Sequence, residues 1–206
     1  PKDIEAVLLI EVDGIAAGIE EQINEILEVC RKNKVREVRA AKDEAERGRW
    51  RANRKTGFGA MGAISPDYLV QDGVIPRSKL PEVLKKIAQI SEESGLRIAN
   101  IFHAGDGNLH PLVLFDARKP GEIEKALEAG SLCLKACADV GGTITGEHGV
   151  GIEKREEMRF VFKDDEIRAQ INIREVFNPN NLLNAGKLFP TPGRCVEIKK
   201  ELKSLS

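Results

Sequence analysis

The sequence predicts an α+β fold of the ferredoxin-like type, in which helices cover an antiparallel sheet and a helical extension follows at the C-terminus. Short apolar runs alternate with stretches of helical periodicity, in the order strand, helix, strand, then strand, helix, strand. A glycine-rich segment also separates two neighbouring apolar runs, as a turn between antiparallel strands does. We expect residues 1–160 to form the α+β domain and residues 161–206 to form a helical segment and tail.

The first part of the chain contains two predicted strands and two predicted helical stretches. Residues 6–12 form a short apolar run that ends in a turn signal, which predicts a buried strand. Apolar residues then recur at helical spacing over 15–30, and 35–38 is a second predicted strand. Residues 42–62 favour a helix that loosens at its glycines.

The remaining elements follow from the same patterns. A third strand is predicted over 67–74, and a helix opens at Pro76 and ends at Gly95. Strands over 97–102 and 110–115 flank the glycine-rich segment, so we expect them to pair as a hairpin. The later predicted helices cover 120–140, 153–159 and 164–177, and a polar turn sequence begins at residue 178.

Charge and cysteine content exclude some classes of function. The 32 Lys and Arg residues nearly balance 33 Asp and Glu, so no strong field for nucleic acid is expected. The local basic run over 47–55 fits either a solvated helix face or an anion-binding role. Four cysteines without a CxxC pair favour reduced, packed thiols.

The expected location is cytoplasmic. Reduced cysteines fit this compartment. The apolar run over 6–10 is too short to cross a bilayer, and no signal peptide is apparent. Because Pro1 leads almost at once into a buried-type strand, we expect the sequence to be a piece of a longer protein.

All three histidines lie in two glycine-rich loops, which we name the histidine turn (103–110) and the Glu147 loop (143–149). Across a glycine turn, His103 and His110 can face the same ion from neighbouring strands. Glu147 and His148 are adjacent, so one can coordinate while the other faces a substrate. Two imidazoles and one carboxylate suit Zn²⁺, Fe²⁺ or Mn²⁺ and leave an imidazole free as a base.

These motifs resemble those of a known family. The segments 102–111 and 143–154 are similar to the C-terminal domain of FAD-linked oxidases, a family that includes glycolate oxidase and the D-lactate and D-2-hydroxyglutarate dehydrogenases. The resemblance extends in order through Arg54-Lys55, 64–76 and 177–187, and so covers nearly the whole chain. It implies a dehydrogenase that transfers hydride from a 2-hydroxy acid to FAD.

The resemblance also implies roles for individual residues. Positions matching His103, His110 and Glu147 hold a divalent metal in relatives, and the position matching His148 is the base. The position matching Arg54 binds the substrate carboxylate, a task suited to a planar bidentate donor. We therefore expect a substrate- and metal-binding cap domain that acts on a small 2-hydroxy acid.

FAD is expected to be held mainly by an N-terminal domain that this sequence lacks. In the family the tail returns toward that domain, which makes Asn184 and Lys187 the candidate cofactor-binding residues here. The family further implies an iron–sulfur or other electron-acceptor partner, and such partner subunits would attach the cytoplasmic protein peripherally to a membrane. A homo-oligomer stays open. We expect the isolated chain to bind no flavin and to be inactive.

Substrate choice follows from two departures. Some relatives carry extra polar substrate ligands where this sequence has Val70 and Pro111-Leu112. These apolar residues offer no polar partner to a second carboxylate of a substrate. Their presence favours glycolate or lactate over 2-hydroxyglutarate. Two alternatives without redox activity stay open: a stand-alone metal-dependent enzyme such as a hydrolase, and an interaction domain that pairs through its sheet edge.

Overall fold

A computed structural model describes residues 6–190 of the 206. The chain divides into two compact units, and the division along the sequence falls between Gly57 and Phe58. The predicted α+β class is confirmed, because the structure combines helices with a small antiparallel sheet. None of the helices within 6–190 has both the length and the apolarity that a membrane span requires.

The first unit contains two helices, α1 (Ala16–Lys32) and α2 (Glu44–Lys55). Asp43 directly precedes helix α2, and its carboxylate accepts the Glu46 N–H at 2.7 Å and so caps the helix. Both strands predicted in this unit, 6–12 and 35–38, are wrong. Their apolar residues gave the correct local pattern, but no other described segment pairs with either run, and a strand requires a partner.

The second unit contains a three-stranded sheet and a two-stranded sheet. The strands are β1 (Asp67–Val70), β2 (Gly73–Val74), β3 (Ile98–Asn100), β4 (Asn108–Leu109) and β5 (Pro111–Phe115). All pairings are antiparallel: β1 and β3 flank β5, and β2 pairs with β4. The last predicted strand, 110–115, is present as β5. An isolated antiparallel bridge also joins Val74 to Thr143.

A short helix, α3 (Gly57–Met61), begins at the last residue of the first unit. The second unit then contains three longer helices, α4 (Leu80–Ser94), α5 (Glu122–Asp139) and α6 (Asp164–Phe177). It also contains 3-10 turns at Arg77–Lys79 and Glu157–Phe160. Helix α4 has its predicted apolar stripe and ends at Gly95. Its buried residues Val83, Ile87 and Ile90 join those of α5 and the strands in the main core.

Small residues bring α5 close to the strands beneath it. A methyl group on Gly130 would lie 2.8 Å from Leu69 Cδ2, and one on Gly73 would lie 2.5 Å from Cys137 Sγ. Real Cβ atoms do not approach this closely, so both positions require glycine to keep the packing. The close contact fixes the segment between β1 and β2, which carries part of the site.

The predicted helical C-terminal extension is present as α6. Its Ile167 joins Leu134, Ile144 and Met158 in a second apolar cluster. Met158 and Ile167 therefore pack together from either side of the predicted boundary after residue 160, and that boundary stays a prediction. Residues 191–206, with Cys195, lie outside the described residues.

Candidate functional site

The histidine turn forms the hairpin that the sequence predicts. The His103 N–H donates to the Asn108 carbonyl at 2.9 Å, and the Asn108 N–H donates back at 3.3 Å. Gly107 closes the turn at φ 72°, a conformation that favours glycine. A methyl group there would also overlap the Ile75 carbonyl oxygen. The turn thus places His103 and His110 on two chain segments that run back beside each other.

The three predicted metal ligands converge in this unit. His103 Nε2 lies 3.6 Å from Glu147 Oε1, and His110 Nε2 lies 3.6 Å from Glu147 Oε2. In a tetrahedral zinc site, metal–ligand bonds near 2.0–2.1 Å hold the ligand atoms about 3.3 Å apart. One ligand atom from each of the three side chains lies within 4.8 Å of the others. The donor set and its spacing therefore fit a divalent ion, with positions left for a ligand.

The hydrogen bond of His110 directs one ring nitrogen toward this group. His110 Nδ1 lies 3.3 Å from the Gln71 carbonyl oxygen, which can only accept, so the proton is on Nδ1 and the Nε2 lone pair faces Glu147. Burial lowers the pKa of His110 below its usual value, against the opposing effects of the Gln71 carbonyl and the Asp72 carboxylate. The neutral ring is the form that binds a metal.

The third histidine lies beside the same group. The His148 ring stacks on the His110 ring with centroids 5.0 Å apart and planes within 6° of parallel. His103 contacts His110 edge to face, with centroids 5.8 Å apart. The structure thus brings all three histidines and Glu147 together, with the predicted base next to the predicted ligands. Their metal and base roles stay predictions.

Asp72 is a site residue that the sequence motifs do not predict. It lies between β1 and β2 with no exposed surface, and its carboxylate accepts N–H groups from Gly146, Glu147 and His148 at 2.8–3.0 Å. The Thr145 hydroxyl donates at 2.8 Å. Burial alone would raise the pKa of Asp72, but these donors outweigh it and hold that pKa well below its usual range.

Asp72, His110 and His148 form a second candidate metal group, since their ligand atoms also lie within 4.8 Å of one another. We favour the group with Glu147 because the Asp72 carboxylate already accepts several donors. Lys154 Nζ lies only 3.5 Å from Asp72 Oδ2, and a cation there opposes a metal ion. Glu147 is half exposed, and its side chain keeps its oxygens toward the histidines.

Lys154 is the second residue that was missed. Only 3 % of it is exposed, and its Nζ lies 3.5 Å from Asp72 and 3.4 Å from the Thr145 hydroxyl. Burial lowers the Lys154 pKa, and the Asp72 charge opposes that effect. The available signal was the pair Gln71-Asp72 inside an otherwise apolar strand pattern, because a charged residue is rarely buried without a partner.

The remaining predicted residues belong to other segments of the chain. Arg54 is near the end of α2, in the first unit. Asn184 and Lys187 lie in the turn that follows α6, where the Lys187 N–H donates to the Asn184 carbonyl at 3.3 Å. Arg174 of α6 also donates to that carbonyl, at 3.2 Å. The substrate role of Arg54 and the cofactor roles of Asn184 and Lys187 stay predictions.

Comparison with known proteins adds a family. A family model described as "FAD linked oxidases, C-terminal domain" matches residues 1–188. The chain is 49% identical over 198 residues to glycolate oxidase subunit GlcD of Escherichia coli strain K12, and 34% identical over 194 residues to GlcD of Bacillus subtilis strain 168. It is 28% identical over 186 residues to a mitochondrial D-lactate dehydrogenase (cytochrome) of Arabidopsis thaliana.

These relatives are longer than the chain. The alignments cover 96%, 94% and 89% of this chain, but only 40%, 41% and 33% of the respective relatives. The chain therefore corresponds to less than half of each of them.

Proposed function

The chain belongs to the family of FAD-linked oxidase C-terminal domains, and on this premise we propose that it supplies the metal-binding, substrate-binding and base residues of a FAD-dependent 2-hydroxy-acid dehydrogenase. The substrate is of the glycolate or D-lactate type. Relatives named as glycolate oxidase subunits and D-lactate dehydrogenases support this substrate class. The chain is proposed to be one part of a longer protein whose FAD-binding domain completes the active site.

The single observation that carries the proposal is the convergence of His103, His110 and Glu147 at 3.6 Å spacing. These residues would hold a zinc, iron or manganese ion, because imidazole and carboxylate ligands suit all three. His110 is held in the required tautomer by the Gln71 carbonyl.

The proposed chemistry divides between the bound groups and the side chains. When bound, the metal ion makes the substrate hydroxyl more acidic, and FAD accepts the hydride from the substrate carbon. His148 accepts the hydroxyl proton on its free ring nitrogen, and its stacking on His110 restricts the orientation of its ring. Arg54 binds the substrate carboxylate through its two parallel donors.

The substrate is proposed to be a monocarboxylate. Pro111 and Leu112 directly follow His110 and are buried, so neither offers a polar group to a second carboxylate. Val70 is also apolar. Glycolate and D-lactate need no such group, whereas 2-hydroxyglutarate does.

Further partners belong to the proposal as well. FAD is held mainly by the other domain, with contacts from Asn184 and Lys187 in the turn after α6. An iron–sulfur or other electron-acceptor subunit reoxidises the flavin. The location is proposed to be cytoplasmic. Where the electron-acceptor subunits are bound to a membrane, the protein would be attached to that membrane through them.

Metal titration tests the metal site. The chain is freed of metal with a chelator and titrated with Zn²⁺ by calorimetry. We expect one ion per chain, and at least tenfold weaker binding in His103→Ala and Glu147→Gln. Glu124→Gln, which removes an exposed carboxylate on α5, is the matched control and should bind like the parent. Equal zinc binding by the parent and His103→Ala would remove this site.

Flavin reduction tests the redox part. In the longer protein that contains this chain, glycolate or D-lactate should bleach the visible absorbance of oxidised flavin. His148→Gln should abolish the bleaching while leaving flavin content unchanged. The isolated chain should show no flavin absorbance and no turnover. A flavin reduced at the parent rate in His148→Gln would refute the assignment of the base.

A further inference from the structure

Asp72 lies where the sheet changes from one ladder to the other. Together with Gln71 it separates β1 from β2, and the Gln71 N–H still donates to the Pro111 carbonyl at 2.9 Å. The Gln71 carbonyl faces His110 instead of a strand. The segment that carries Asp72 is therefore bonded to β5 on one side and packed against helix α5 on another.

One oxygen of Asp72 binds the backbone of the Glu147 loop. Three consecutive N–H groups, those of Gly146, Glu147 and His148, point at Asp72 Oδ2 from 2.9, 3.0 and 2.8 Å. The Thr145 hydroxyl adds a fourth donor at 2.8 Å. Successive N–H groups that converge on one anion form a concave nest, and a carboxylate from the same chain occupies this one. The loop is thereby folded around the Asp72 side chain.

The backbone of the Glu147 loop is closely packed at Gly146. A methyl group on Gly146 would lie 2.6 Å from Val74 Cγ2 and 2.9 Å from Asn108 Nδ2. The loop backbone is thus pressed against β2 and β4. Lys154 closes the cluster from another side and compensates the charge of Asp72.

We infer that Asp72 is the positioning residue of the site, because its carboxylate fixes the backbone from which the ligand Glu147 and the base His148 project. Glu147 spans His103 and His110 with both of its oxygens, so a small displacement of its backbone separates the three ligand atoms. Groups that orient metal ligands commonly affect affinity by about 10–100-fold. This inference rests on the proposed metal site and deepens it.

Zinc affinity of folded variants is the first test. Asp72→Ala removes the acceptor, and we expect zinc to bind about 10–100-fold more weakly than to the parent. Asp72→Asn keeps one oxygen for the loop N–H groups, so it should recover part of that loss. Asp116→Ala is the control, since it removes another hydrogen-bonded carboxylate of the same unit, bound by Arg118.

A merely structural role would lower the melting temperature of Asp72→Ala but leave its zinc affinity, measured well below that temperature, unchanged. That result would overturn the inference. If Asp72→Ala does not fold, Asp72→Asn takes its place, and parent-like zinc affinity in that folded variant would equally overturn it. Partial loss that follows the order parent, Asn, Ala supports it.

Hydrogen exchange separates this inference from the metal proposal. In the metal-free parent, the amides of 146–148 should be protected, and in the folded Asp72 variant they should exchange at least tenfold faster while amides of α4 are unchanged. If the parent binds no zinc, the metal proposal fails, and exchange alone decides the positioning role. Unchanged protection of 146–148 would then overturn it.

Discussion

Replacing Gly107 by alanine is expected to destabilise the second unit and to disturb its histidines. Gly107 has φ 72°, and an L-residue in this left-handed region costs roughly 1–2 kcal/mol. The added methyl group would overlap the Ile75 carbonyl oxygen, which is backbone and cannot rotate away. The turn must therefore shift, and the hydrogen bond from the Ile75 N–H to the Gly107 carbonyl, 2.9 Å long, is weakened or lost.

The expected loss of stability is the sum of the backbone strain and the lost hydrogen bond. Losing the hydrogen bond adds about 0.5–1.5 kcal/mol to the backbone strain, so the free energy of unfolding should fall by about 1.5–3.5 kcal/mol. Gly105→Ala is a matched control in the same turn, because no atom lies within 4 Å of its added methyl group and its φ is not positive. That variant should stay within about 0.5 kcal/mol of the parent.

Urea-induced unfolding followed by circular dichroism measures both variants, with a chelator present so that metal binding does not contribute. A zinc titration then reports on the ligands, because His103 and His110 flank the displaced turn. We expect weaker zinc binding in Gly107→Ala and parent-like binding in Gly105→Ala. Equal stability of the two variants would refute the reasoning from φ and steric overlap.

Three further predictions concern pH, thiols and substrate. The pKa of His110 is lower in the folded protein than in the unfolded chain, so on acidification the unfolded chain binds this proton at a higher pH. Lowering the pH below about 6.5 should therefore reduce the free energy of unfolding of the metal-free protein. The variant His110→Asn should flatten this part of the pH–stability curve. Burial raises the pKa of Cys133 and Cys137 to about 12, so mass spectrometry should find both unalkylated by iodoacetamide at pH 8 until urea is added. Arg54→Lys keeps the charge but loses the bidentate fork, so the apparent KM of the longer protein for glycolate should rise about tenfold, while the neighbouring Arg49→Lys leaves it unchanged.

Local patterns predicted the elements that depend mainly on their own residues. Helix α4 could be read from its apolar spacing, and its end from Gly95, because both signals lie within one segment. The histidine turn was predictable for the same reason. The apolar runs at 6–12 and 35–38 have an equally clear local pattern. A strand also needs a partner that is distant in sequence, and residue spacing does not reveal that partner.

The residues of the site also fall into those that the sequence predicts and those that it does not. The convergence of His103, His110 and Glu147 was expected from their loops and from the family resemblance. Asp72 was missed because its donors lie 73–76 positions away and are mostly backbone N–H groups, which carry no sequence signature. Lys154 was missed because its burial depends on that same carboxylate.

The break between β1 and β2 has a consequence for protein engineering. Copying only the histidine turn and the Glu147 loop onto another hairpin would omit the Gln71 carbonyl that selects the His110 tautomer and the Asp72 carboxylate that folds the loop. The smallest transplantable unit is therefore three segments, with the interrupted strand as the third. A designed scaffold that offered one continuous regular strand at that place would reproduce the ligands of this site without the groups that orient them.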